Sequence, residues 1–272
     1  MDILKYDRKS YQAPAGWTEC EPDMICKLIV FSRLQAKDIT DSIYEMAVQI
    51  LFSIPAKAWA KWTMNAAEWQ MLKDQIQWVF TAPADRPFLS FEHEDLIYLL
   101  PEENFSDTTA LELSMAFIAY TDFVDPDEPD LTALPRLIST LCRPQRRDLK
   151  AFRETEAWNG DDREAFNEAR MIKRAESLAK LEMPMQIVLL SYFEQQAKMF
   201  LEQYQQLFGG SSEPRYADAR GWIMLLKNIA KEGHFGDFDN VGKQYAHLVY
   251  AAALDDTITA EETRANQENG YE

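Results

Sequence analysis

Histidines, cysteines and clustered carboxylates are the side chains with which this chain could hold a metal or move a proton. The densest local set is Glu92-His93-Glu94-Asp95. Imidazole and carboxylate are zinc ligands and general acid–base groups. These four sit between two β-like runs, however, and on a hairpin alternate residues diverge, so they do not converge on one ion. The other two histidines, His234 and His247, lie far away in sequence, and no His-Glu-x-x-His spacing occurs. Asp237, Asp239 and Gly242 match the first, third and sixth positions of a calcium loop. Val241 and Leu248 then fall at the fifth and twelfth, where side-chain oxygen ligands are needed. Asp125, Asp127, Glu128 and Asp130 read as a solvated acidic loop.

Phosphate and nucleophile motifs fare no better. Gly209-Gly210-Ser211-Ser212 follows a helical pattern instead of a strand and lacks the P-loop lysine. No serine occupies a Gly-x-Ser-x-Gly elbow. Cys20, Cys26 and Cys142 form an odd, sparse set without metal-finger spacing, which suits a reducing compartment. Cys26 and Cys142 are flanked by apolar residues and are expected to be buried thiols. Arg143, Arg146 and Arg147 form the one basic cluster, expected to pair with the chain's own carboxylates. The expectation is therefore no enzyme: no catalytic residue, no cofactor-binding residue, no cofactor and no metal.

Composition bounds the rest. The 272 residues are 47% hydrophobic and 12% aromatic, ample for a real core. Nine glycines and few β-branched runs, against abundant Ala, Leu, Glu, Gln and Met, favour helix. The fold class is mainly α: a multi-helix bundle of about eight or nine helices with one small β-hairpin. Forty-five acids against 28 bases leave a net charge of −17, which argues against direct nucleic-acid binding through phosphates. The start of the chain does not read as a signal peptide, and no apolar run approaches the length of a membrane span. A soluble cytoplasmic protein with no membrane partner is expected.

The stretch 183–208 organises the chain. Pro184 fits a first helical turn, Gly209 and Gly210 supply a stop, and apolar residues recur at three- and four-residue steps. Pro22 opens an earlier helix, Asp38 or Thr40 a second, and Asn65 with Glu68 a third through a capping box. Apolar runs around 88–91 and 96–100 predict the hairpin. Ser106 or Asp107 is expected to cap the next helix, followed by one over 131–142, with another from Asn159-Gly160-Asp161. Later helices start near Arg215 and at Asp237 or Asp239. The domain reading is an extended N-terminal arm (1–16), an N-terminal helical region (17–145), a C-terminal helical region (146–256) and a polar flexible tail (257–272).

Pro14-x-x-Trp17-x-Glu19 before the first helix resembles the opening of a diffuse set of helical proteins encoded in phage tail modules. Arg86-Pro87-Phe88 leading into Leu99-Leu100-Pro101-Glu102-Glu103-Asn104-Phe105-Ser106 is similar to the same set. So are Leu141-Cys142-Arg143-Pro144, the long helix ending in Phe208, and the Trp222 helix followed by Gly233-His234-Phe235-Gly236. The resemblance implies a non-enzymatic tail assembly chaperone, active in the host cytoplasm, that coats apolar helices of a tape-measure or other tail protein. It also admits a structural connector in the virion. The acidity alone suggests a rival: a regulatory or anti-defence protein imitating nucleic acid. Trp59, Trp62, Trp222 and Phe235 are the expected partner-binding positions, and a homo-oligomer is compatible with all three readings.

Overall fold

The computed structural model describes residues 2–6, 9–83, 85–208 and 219–269. Two strands, β1 (Asp2–Tyr6) and β2 (Lys9–Ala13), precede α1 (Pro22–Leu28), α2 (Asp41–Leu51), α3 (Ala56–Trp59) and α4 (Ala66–Gln75). Next come β3 (Ser90–His93), β4 (Leu96–Leu99), α5 (Ala110–Val124), α6 (Ala133–Leu141), β5 (Arg143–Pro144), α7 (Leu149–Phe152) and α8 (Glu168–Leu178). The chain ends with α9 (Met183–Gln203), α10 (Gln205–Phe208), α11 (Gly221–Glu232), α12 (Phe238–Lys243) and α13 (Ala246–Asn269). Nine described helices have seven residues or more, so the protein is mainly α as its composition predicts.

Local chemistry explains many of these boundaries. Pro22 opens α1, and Thr40 stands at the N-cap position of α2 with extended backbone and no side-chain bond to the first turn. Asn65 accepts from the amides of Ala67 and Glu68 while Glu68 takes the Asn65 amide, the predicted capping box of α4. Gly233, at φ 82°, ends α11 in the left-handed conformation that glycine enters without steric cost.

The chain divides into two units: residues 1–88 with 182–195, and 89–181 with 196–272. In the first, Leu28, Phe31, Ala47, Val48, Leu51, Leu72, Ile76 and Val79 form a buried core. Ile25, Ile29 and Val188 of α9 make a smaller apolar cluster in the same unit. In the second, Phe200 is fully buried at the centre of an aromatic cluster. Its ring lies 4.9 Å from Tyr204, 5.0 Å from Tyr250, 5.2 Å from His247 and 6.3 Å from Phe105.

Several expectations are corrected. The N-terminal arm is a hairpin: β1 and β2 pair antiparallel with Leu4 opposite Tyr11, and both side chains pack on the first unit's core. The predicted hairpin is β3–β4, extended to three strands by β5 on β4. That third strand removes the boundary expected near 145, because Arg143 and Pro144 are built into a sheet. The cap of α5 is Thr109, which bonds the Glu112 amide; Asp107 is instead drawn to the Glu102 amide and to Arg163. No helix starts at Asn159, because the chain there runs extended beside 144–146 and α8 begins only after Asn167. A turn at Tyr204 separates α9 from α10. Asp237 caps only the short α12, and α13 follows separately. The polar tail is helical through Asn269, since Ala, Glu, Gln and Arg form helix well without an apolar face. Gly209, Gly210, the turn at 211–214 and the helix start at Arg215 lie outside the described residues.

The register of α9 yields a direct test from two neighbouring residues. Phe200→Ala is expected to lose about 3–5 kcal/mol, the usual cost of truncating a buried aromatic ring. Met199→Ala, on a side chain 45% exposed, should stay within about 0.5 kcal/mol. Equilibrium urea unfolding of both variants checks the contrast.

Candidate functional site

The two predicted tryptophans of the first unit lie on and just after the short helix α3, which Pro55 starts. Trp59 and Trp62 stand 5.2 Å apart, Trp69 of α4 lies 6.1 Å from Trp59, and Tyr11 of β2 meets Trp62 edge-on at 5.5 Å. All four rings are half-buried and cover one side of the core, an arrangement that aromatic quadrupoles favour. The Asp41 carboxylate takes the Trp69 indole N–H and the Lys73 ammonium, and these bonds hold its pKa below the usual value.

Beside this aromatic group is a cleft of about 240 Å³. Leu4 of β1, Trp62, Met64, and Met71 and Leu72 of α4 form its apolar lining, and Thr63, Glu68 and Gln75 its polar lining. Met71 is 67% exposed, so its thioether stands in water over an apolar cleft. Unbranched methionine adapts to irregular apolar surfaces, and clefts lined this way accept large apolar side chains.

The other two predicted contact residues are placed differently. Trp222 on α11 lies flat on Phe117 at 4.0 Å with 3° between planes, and meets Phe208 at 4.9 Å. That stacking commits much of its ring surface inside the second unit. Phe235 is half-buried in the turn between Gly233 and Gly236, with the His234 ring 6.4 Å away.

Each histidine has its own partners. His93 Nε2 lies 3.0 Å from Ser177 Oγ and 3.1 Å from the Ser177 carbonyl, while that hydroxyl also donates to Glu94. Here the carboxylate holds the serine proton and does not orient the imidazole, the reverse of a Ser-His-acid relay. His247 is fixed by the Tyr204 hydroxyl at 2.9 Å and by the Asn104 carbonyl at 2.6 Å. His234 pairs with Asp256. No group of three or more potential metal ligands converges among the described residues. Asp125 accepts from the amides of Asp127 and Glu128, and Asp130 from Thr132, so both carboxylates close turns. The three cysteines are free thiols; Cys142 is buried, and burial pushes its pKa up to about 12. Cys26 is only half-buried, less than its apolar flanks suggested.

Arg143 pairs with the chain's own carboxylates as expected, but it does so in a buried charge network of the second unit that sequence reasoning missed. Glu112 of α5 has no exposed surface; its Oε1 accepts Arg143 Nε at 2.9 Å and its Oε2 accepts Arg143 Nη2 at 3.1 Å. Asp161 bridges Arg143 at 2.7 Å and Arg163 at 2.9 Å, and Asp107 takes Arg163 at 2.9 Å. Arg163 also donates to the carbonyls of Leu141 and Asp107. Burial pushes the Glu112 and Asp107 carboxyls up despite the arginines. Burial also opposes ionisation of Asp161, but Arg163 and Arg143 outweigh it and hold that carboxyl below its ordinary value. The legible signals were the Thr109-x-x-Glu112 capping box and the basic cluster at Arg143.

Comparison of the chain with protein-family models, curated proteins and solved structures returns no match. No described helix is long and apolar enough to cross a membrane.

Removing one member of the network leaves its partner charged and buried. Arg143→Met should cost about 3–5 kcal/mol at neutral pH. Glu112 already titrates above its ordinary 4.5. A carboxyl raised in the folded state contributes stability that is present below the unfolded value and lost as pH rises through the folded one. The deficit of Arg143→Met relative to the parent should therefore shrink at pH 4.5 and grow toward pH 8, read as denaturation midpoints across that range.

Proposed function

We propose that the protein is a non-enzymatic assembly factor that holds apolar helices of a partner polypeptide. The observation that carries this reading is the cleft of Leu4, Trp62, Met64, Met71 and Leu72, with Met71 exposed over it. A cleft of about 240 Å³ has room for one or two large side chains on one face of an amphipathic helix. Half-buried Trp59 and Trp69 continue the apolar surface beside it. The net charge of −17 supports the role in a second way, because mutual repulsion keeps copies apart while an apolar face is displayed.

The resemblance of the sequence to helical proteins of phage tail modules supplies the partner. A tape-measure protein presents long apolar helices before the tail tube forms around it, and a factor shielding them acts in the host cytoplasm. In this reading Trp62 is the principal contact among the sequence candidates and Trp59 supports it from behind. Phe235 is a separate, smaller contact, and Trp222 serves the packing of its own unit.

Co-expression with a tape-measure protein tests the proposal. The partner should stay in the soluble fraction and co-purify with the chain. Met71→Glu, at a solvent-exposed position, should abolish co-purification without changing the melting temperature by more than a few degrees. An equal yield from Met71→Glu, or no gain in partner solubility from the parent, overturns it.

A further inference from the structure

The second unit contains a cavity of about 370 Å³ beside the buried charge network. Volumes of this size are typical of small-molecule sites. Its innermost polar lining is Arg143 and Arg163, each about 2% exposed. Leu111, Phe152 and Phe166 supply apolar wall, and Arg146 and Lys243 stand nearer solvent. Four cationic side chains line the cavity against two carboxylates, Asp161 and Asp239. In a chain where acids outnumber bases 45 to 28, that ratio is inverted.

Hydrogen-bond accounting decides which ligand charge fits. Both oxygens of Asp161 are occupied by the guanidinium groups of Arg143 and Arg163. Asp239, exposed on α12, is the other lining carboxylate. A cation entering the cavity therefore meets no open carboxylate at its buried end. Donors are in surplus. The Lys243 ammonium has no ion-pair or hydrogen-bond partner among the described residues. Arg146 gives Nε and Nη2 to Asp148 and lies over the Phe152 ring at 3.6 Å, leaving Nη1 unengaged among the described residues.

We infer that this cavity binds a small amphiphilic carboxylate, its apolar body against Leu111, Phe152 and Phe166 and its anionic end at Arg146 and Lys243. Charge-assisted N–H···O bonds to those donors supply orientation, and the apolar wall supplies affinity. The inference is independent of the cleft in the first unit and would survive the failure of the partner reading.

Isothermal titration with 3-phenylpropionate, followed by amide NMR, tests it against the charge-reversed 3-phenylpropylamine. The acid should bind saturably at one site and shift the amides of Asn159, Gly242 and Lys243, while the amine should not bind. Lys243→Glu and Arg146→Glu, both at solvent-accessible positions, should each weaken binding about tenfold, as expected for one charge-assisted contact. Ala157→Trp, on an exposed part of the lining, should block entry while the melting temperature is retained. Four results would overturn the assignment: equal binding of the amine, unchanged affinity in all three variants, shifts confined to Trp62 and Met71, or no saturable binding below about 10 mM.

Discussion

A carboxylate with no access to water must have its charge met by neighbours, and Glu112 imposes that constraint on the second unit. It closes the first turn of α5 as a capping residue, so its backbone position is set by helix geometry. Its side chain then requires Arg143, which fixes where the strand after α6 must run. Arg143 in turn takes Asp161, and Asp161 takes Arg163. Four residues spread over about fifty positions are thereby locked into one arrangement. The extended path of 159–166, which carries no helix although its sequence invites one, follows from this network.

The same consumption of charge recurs across the described residues. Acids close turns at Asp125 and Asp130, cap helices at Asp237 and Glu68, or pair with arginines at Asp162 and Glu164. Histidines anchor backbone and hydroxyl groups. Surface of another kind is left open where α4 and the segment before it bring Trp62, Met64 and Met71 around a cleft. Polar groups with committed partners rigidify a scaffold, whereas exposed methionine on an apolar cleft costs solvation until something covers it. That contrast is why the functional proposal rests on apolar contact.

Much of the helical framework was legible because it is written in local chemistry. Pro22, the Asn65–Glu68 box and Gly233 each act within a turn of their own position, and Thr40 marks the start of α2 by its extended backbone. The β3–β4 hairpin was legible from two short apolar runs flanking polar residues. What escaped was non-local. Asp107 looked like a cap until Arg163, fifty-six positions later, claimed it. Arg143 was expected to pair with the chain's own carboxylates and does so, but its burial against Glu112 of α5 is something no window of sequence reveals. Of the four aromatic contact candidates, Trp62 lines the cleft, Trp59 backs it, Trp222 is stacked inside its unit and Phe235 stands apart in a turn. Met71 was missed because an apolar residue on a helix reads as core until its exposure is seen, and Met64 because it is a half-buried residue between helices with no pattern of its own.

The central functional claim is that Met71 faces a partner helix. Photo-cross-linking from a benzophenone amino acid at position 71, during co-expression with a tape-measure protein, measures it most directly. The account predicts a cross-linked peptide drawn from one apolar face of a partner helix, with contacts recurring every three or four residues. Cross-links confined to the chain's own residues, or to partner segments without that spacing, would contradict it.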